Sequence, residues 1–360
     1  MLKKFKISLL IISALTVSAC TSFGYYMDLM AGHSELLEQQ KPVAELVEDK
    51  NTPEKLRELL VKSQKIRDFA SKSLLLPEND SYRHYADIKR PYALWNVIAT
   101  KEFSIEPKKW CYIFVGCMSY RGYFSKQEAI DYAAELKSQG FDVHVAGAKA
   151  YSTLGWFDDP LLNTMMYKSE ARRAGIIFHE LSHQLIYIDN DSAFNEAFAT
   201  TVEQEGVRRW MLNSGKEKQY ATFLLDKKRD TQINQILLEI RASLKELYLK
   251  ALPVEKMRQE KAGVFHRMEG RYQQLKKTWQ QDKNKNDYDP WMLQGLNNSH
   301  LSLIATYHHL VPVFNQMLEN TKHDLKVFYT NVEQVGELNK KKRTTYLNDV
   351  KLIKTLSMVK

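Results

Sequence analysis

The sequence predicts an α+β protein, predominantly α-helical, with a small sheet and long C-terminal helices. Three observations carry that expectation. Within residues 23–76 the apolar positions Leu56, Leu59, Leu60, Ile66 and Phe69 recur at helical spacing. Beyond Trp210 the pattern is almost wholly helical: the stripe Ile233, Ile236, Leu237, Ile240, Leu244 and Leu247 is broken at Pro253 and followed by Met257, Val264, Met268, Tyr272 and Leu275. Between these regions, short β-branched and aromatic runs suggest a few strands.

The chain opens with Lys3, Lys4 and Lys6 ahead of the apolar run Ile7–Val17. Val17-Ser18-Ala19-Cys20 then resembles a lipobox, in which small residues lead to a cysteine that becomes the lipidated first residue. The apolar run is about half of the roughly 20 residues a spanning helix needs. A cleaved signal over residues 1–19 and a lipid anchor on Cys20 are therefore expected. Thr21 follows where an aspartate would retain a lipoprotein at the inner membrane, so the expected location is the bacterial envelope, at the outer membrane and facing the periplasm.

After the signal, residues 20–100 read as an N-terminal helical region. In the next block, 101–215, Tyr112–Val115 reads as a strand, Ser125 caps a helix running to about Ser138, Gly140 ends it, and Val143–Ala148 alternates like a second strand. Ala150–Trp156 is a further candidate strand. Arg172–Phe178 leads into a helix whose apolar content continues through Leu181, Leu185 and Ile186, and the loop Tyr187–Asp191 closes it. Asp191 or Ser192 then caps a second helix expected to run to about Gly206. Residues 216–290 form a helical hairpin ending in the polar stretch Asp282–Asp289, and 291–360 are C-terminal helices. A mature chain of about 340 residues is long enough for a sizeable core, and one domain with a helical extension fits as well as two.

The 360-residue chain carries a formal charge of +9. Its positive residues concentrate late, in Lys216–Lys285 and Lys340–Arg343, without an aromatic platform or a nucleic-acid motif, so they read as solvated helix faces and no nucleic-acid partner is expected. Once Cys20 is assigned to lipid, Cys111 and Cys117 remain as an even pair in an exported chain. A disulfide between them is expected, with a buried pair of free thiols as the alternative.

The stretch most telling of chemistry is His179-Glu180-Leu181-Ser182-His183, followed by Asn195-Glu196-Ala197-Phe198-Ala199. Histidines four apart project from one helix face and can reach a single ion, and a glutamate from the next helix completes a His₂Glu set with an open position. One Zn²⁺ held by His179, His183 and Glu196 is the expectation, with Glu180 as general base toward the attacking water. Glu203, seven residues after Glu196 on the same helical face, is a candidate acceptor for a ligand histidine N–H. Asn195 is a further candidate for supporting the ligands.

These paired motifs resemble those of the gluzincin peptidases, both the thermolysin type and the aminopeptidases whose third-ligand segment reads NEGFA. More closely, Tyr151-Ser152-Thr153-Leu154-Gly155-Trp156-Phe157-Asp158-Asp159-Pro160-Leu161, the zinc motif and Asn195–Gly206 resemble a zinc aminopeptidase family of Gram-negative envelope lipoproteins. That resemblance extends to Tyr120-Arg121-Gly122-Tyr123-Phe124 and to Asn297-Asn298. It implies a zincin-like catalytic core and zinc-dependent cleavage of peptides. No GAMEN-type segment is present, so endopeptidase action stays open beside aminopeptidase action, as does a non-catalytic zinc-containing envelope scaffold.

If Ala150–Trp156 is an edge strand, it lies where zinc peptidases pair with an extended substrate. Ser152, Thr153, Leu154 and Gly155 then become substrate-binding candidates, and Tyr151 a candidate oxyanion donor. Tyr307 competes for the oxyanion role. Asn297 and Asn298 read either as binders of substrate backbone or as hydrogen-bonding groups between helices. The adjacent His308 and His309 diverge around a helix and do not suit one ion.

Overall fold

A computed structural model describes residues 24–112, 116–150, 152, 153, 155–279, 288–302, 304 and 310–357. The expected signal segment and Cys20 lie outside the described residues, as do 282–287 of the polar stretch and His308 and His309. The architecture is α+β and mainly helical, as the periodicity predicts.

The N-terminal part holds α1 (24–38), α2 (Val43–Glu48) and α3 (Glu54–Leu74). Leu75, in left-handed conformation with φ 58°, ends α3. Two-residue β1 (Lys41–Pro42) and β8 (Leu161–Leu162) flank β2 (His84–Ala86) in a small mixed sheet.

The main sheet is antiparallel. Its central strand is β3 (Leu94–Lys101), flanked by β6 (Arg121–Tyr123) and β7 (Phe141–Ala148). Helix α4 (Lys126–Ser138) crosses from β6 to β7, with the Ser125 hydroxyl accepting from the Glu128 N–H at its start and Gly140 at φ 82° just past its end. Strand, helix, strand is thus present, with Arg121–Tyr123 as its first strand in place of Tyr112–Val115. Trp110–Tyr112 (β4) instead pairs with Gly116–Met118 (β5) in a separate hairpin, and residues 113–115 lie outside the described residues. The central strand falls inside the stretch that read as helical. Its two partners are remote in sequence, so helical patterning upstream gives no hint of it.

After α5 (Asn163–Met166) come α6 (Glu170–Leu185) and α7 (Ser192–Asn213), which pack extensively on each other. The Ser169 hydroxyl caps α6 by accepting from the Arg172 N–H, and Asp191 caps α7 by accepting from the Phe194 N–H. Buried Arg173 donates to the carbonyls of Met166 and Lys168, satisfying backbone acceptors just ahead of α6. Helix α7 continues beyond the expected stop at Gly206. That glycine is a packing residue: a Cβ there would lie 2.6 Å from Phe178 and 2.7 Å from Leu74, so its absence lets α3, α6 and α7 meet.

Helices α8 (Glu217–Tyr248) and α9 (Val254–Thr278) form the expected hairpin, and both apolar stripes meet in one core that also takes in Met292, Leu296 and Leu301. The C-terminal part comprises α10 (Asp289–Met292), α11 (Asn298–Ser302), α12 (Val311–Asn320), α13 (Leu325–Glu337) and α14 (Lys340–Ser357). Phe314 and Phe328 close the principal core over Phe178, Phe194 and Phe198, with the Phe194 and Phe314 rings 5.0 Å apart edge to face. Among the described residues no helix is long and apolar enough to cross a membrane.

Candidate metal centre

Helix α6 presents His179, Glu180 and His183, and α7 presents Glu196 and Glu203 toward them. His179 Nε2 lies 3.3 Å from Glu196 Oε2, and His183 Nε2 lies 3.9 Å from Glu196 Oε1. The two imidazole rings are 4.9 Å apart and nearly perpendicular. One ligand atom each from His179, His183 and Glu196 lies within 4.8 Å of the others, close enough for one cation to draw on all three.

The second nitrogen of His179, Nδ1, lies 3.3 Å from Glu203 Oε2, and Lys227 of α8 donates to Glu203 Oε1 at 2.8 Å. Glu203 can come this close because the α6 residue one turn before His179 is Gly175, where a Cβ would meet Glu203 at 3.2 Å. Although burial favours its neutral form, His179 and Lys227 hold the Glu203 carboxyl down at about 2. Glu203 is therefore ionised and fixes the orientation of the His179 ring.

The donor set fits a metal ion. Burial pushes the His183 imidazole down to about 4, so it is neutral, the form that ligates, and its Nδ1 is buried without a hydrogen-bond partner. Against desolvation, the carboxylates of Glu196 and Glu203 draw a proton onto His179. That is the response of a site with excess negative charge, which a cation would relieve. Burial pushes the neighbouring Glu180 carboxyl up to about 7.

His179, Glu180, His183 and Glu196 line a cavity of about 410 Å³ together with Leu94, Asn96, Met118, Tyr120, Ala148, Ala150, Ser152, Tyr187, Ser192 and Asn195. Asn195 clamps the α6–α7 connection: its side-chain oxygen accepts from the Ile188 N–H at 2.8 Å and its amide donates to the Ile188 carbonyl at 2.9 Å. The expected disulfide is present, joining the paired strand residues Cys111 and Cys117. It faces the same connection, because the Cys117 N–H donates to the Asn190 side chain. Met118 and Tyr120, just beyond, form one wall of the cavity.

Of the expected substrate-binding segment, Ser152 lines the cavity, while Tyr151 and Leu154 lie outside the described residues. The described part of Ala150–Trp156 is a turn and contains no strand. Its chemistry explains why: the Asp159 carboxylate accepts from the Ser152 hydroxyl and the Thr153 N–H, Thr153 Oγ1 bonds the backbone of Phe157, and Gly155 sits at φ 82°. Asp159 is in turn anchored through Ser81, whose hydroxyl also accepts from Gln184, the residue after His183.

Asn297 and Asn298 are absent from the cavity lining. Asn298 donates to the Glu102 carbonyl, accepts from Tyr248, and takes Asp142 as acceptor for its N–H; Asn297 donates to the Val143 carbonyl. They fasten α11 to the main sheet, the interelement bonding that the sequence left open. Tyr307 lies outside the described residues. Tyr120 and Tyr187 are lining residues for which composition and spacing held no signal; the Tyr120 segment entered only through its resemblance.

No curated protein and no solved structure matches the chain. One family model does match, and it spans residues 24–347, from α1 into α14 and across every residue of the centre. The chain belongs to the family described as "Putative aminopeptidase".

Proposed function

We propose that the protein is a zinc-dependent peptidase acting as an aminopeptidase. The supporting observation is the convergence of His179, His183 and Glu196 on one point, with Glu180 beside them in the same cavity. Zinc bound by such a set supplies Lewis acidity toward a peptide carbonyl and makes water acidic enough to lose its proton near neutral pH.

The chain's own residues do the rest. Glu180, in the same cavity as the three ligands and one residue from His179, is placed to take a proton from the attacking water and to hand one to the leaving amine. Glu203 and Lys227 keep His179 in one orientation. Tyr151 and Tyr307 are the oxyanion donors proposed from sequence, and the cavity itself adds the phenols of Tyr120 and Tyr187. Glu180→Gln should retain one metal ion by elemental analysis and lose at least about a hundredfold in peptide hydrolysis. Undiminished turnover by that variant overturns the mechanism.

As part of the same proposal, the protein is anchored in the bacterial envelope through a lipid on Cys20, at the outer membrane. Its disulfide suits an oxidising compartment. Wild-type protein should take up labelled fatty acid in cells and Cys20→Ser should not; a wild-type protein that takes up no label rules the anchor out.

A further inference from the structure

Helix α1 begins at Gly24, four residues after Cys20, and is fastened to the body from its first turn. The Tyr25 ring is buried against Tyr112 and Tyr123, its hydroxyl donates to the Gly122 carbonyl at 2.9 Å, and the Arg121 guanidinium lies 3.9 Å from its ring centre. Four residues of chain reach at most about 14 Å. A lipid on Cys20 would therefore hold this side of the protein against the bilayer, with no long linker on which it could swing.

That side carries large apolar groups in solvent. On α1, Met27 is 50 % exposed and Met30 66 %, and they precede His33 at intervals of three, along one flank of the helix. His33 packs on Phe157 with ring centres 4.7 Å apart, which brings this flank up to the turn where Phe157 is 49 % and Trp156 73 % exposed. Apolar surface gathered in this way marks a contact site. Neither α1 nor residues 152–159 contain a lysine or arginine, whereas Asp28, Glu35, Glu38 and Asp158 are all exposed.

We propose that Met27, Met30, Trp156 and Phe157 form a membrane-contact surface that rests on zwitterionic phospholipid. The proposal builds on the lipid anchor and adds the face of the protein that meets the bilayer. A tether this short keeps the local concentration of lipid high, so a small surface that would bind vesicles only weakly by itself stays engaged. Tryptophan suits the headgroup level, where its ring leaves water while its N–H stays hydrated, and the two methionines and Phe157 add apolar area beside it. Charge selects the lipid: four exposed carboxylates with no cation among them are repelled by anionic headgroups and tolerated by zwitterionic ones. Ser152, in the same turn as Trp156, lines the cavity, so the surface proposed to meet lipid adjoins the metal centre.

The test uses the full-length lipoprotein reconstituted in zwitterionic vesicles, with and without phospholipid brominated close to the headgroup, which quenches nearby tryptophan. Brominated lipid should lower the emission of wild-type protein by the share that Trp156 carries and leave Trp156→Phe unchanged. Replacing zwitterionic by anionic lipid at low salt should weaken that quenching. Unquenched wild-type emission, equal quenching of Trp156→Phe, or quenching that grows with anionic lipid overturns the proposal. So does a Trp156 emission that follows the protein-to-lipid ratio and ignores bromine, which would place a second copy of the chain on the patch. Protein that carries the fatty-acid label yet shows no Trp156 quenching sinks the contact surface and spares the anchor; unlabelled protein that is still quenched does the reverse.

Discussion

Nδ1 of His179 lies 3.3 Å from Glu203 Oε2, so one ligand of the proposed ion is held by a carboxylate that is itself held by Lys227. Removing such an outer partner leaves the ligand present but free to rotate. Glu203→Ala should therefore weaken zinc binding by about ten- to a hundredfold while the protein stays folded. Competition against a chromophoric chelator measures this, and unchanged affinity would show that packing alone orients the His179 ring.

Glu196 contributes a ligand directly, and its loss should be more severe. Glu196→Ala removes one of three donors and the only carboxylate among them. Wild-type protein should gain about 3 kcal/mol of stability when zinc is raised to a hundred times its dissociation constant, because only the folded chain assembles the site. Glu196→Ala should lose this zinc-dependent rise in melting temperature. A variant that melts like wild type across the same zinc titration would mean that the ion is held elsewhere.

The readable part of this chain was the part fixed by local rules. Helix α6 and the start of α7 followed from apolar spacing, the Asp191 cap and the histidine repeat, all within a few turns of backbone. Glu203 was legible for the same reason, since seven residues along one helix return to the same face. The sheet was harder. Leu94–Lys101 takes its partners from Arg121–Tyr123 and Phe141–Ala148, and pairing over such separations leaves no periodic trace nearby. The Ala150–Trp156 reading failed for a local reason: its described residues lie in no strand, because Ser152 and Thr153 bond to Asp159, and Thr153 to Phe157, within the segment's own neighbourhood. Gly206 read as a helix stop because a glycine's packing role is set by Leu74 and Phe178, which local sequence cannot place.

The disulfide offers a third test. Cys111 and Cys117 are directly paired across the hairpin, and the backbone of Cys117 docks on Asn190 between the two ligand-bearing helices. Closing a loop this short is worth about 2 kcal/mol on chain-entropy grounds. Replacing both cysteines by serine should lower stability by roughly that amount in urea unfolding. Because Met118, in the hairpin's second strand, and Tyr120, just beyond it, wall the cavity, KM for peptides should rise while metal content stays constant. Identical KM values in the two proteins would show that the hairpin holds its place without the bond.

The carboxyl of Asp159 gives a pH-dependent prediction with a definite sign. Burial pushes it from an ordinary 3.8 up to about 6, and the hydrogen bonds from Thr153 and Ser152 only partly offset that burial. A carboxyl whose pKa is higher in the folded than in the unfolded chain binds more protons when folded, so stability falls as pH rises. Its contribution is complete below the unfolded value and is lost as pH climbs through about 6, leaving the native state destabilised by about 3 kcal/mol above that range. Asp159→Asn keeps an acceptor for the Thr153 N–H and removes the buried charge. The variant should therefore be more stable than wild type at pH 8, with a flatter decline between pH 4 and pH 6. Urea unfolding at a series of pH values reads both. A variant that loses stability at pH 8 would show that the ionised carboxylate is what holds the 152–157 turn beside the cavity, and that its bonds to Ser152 and Thr153 outweigh its desolvation.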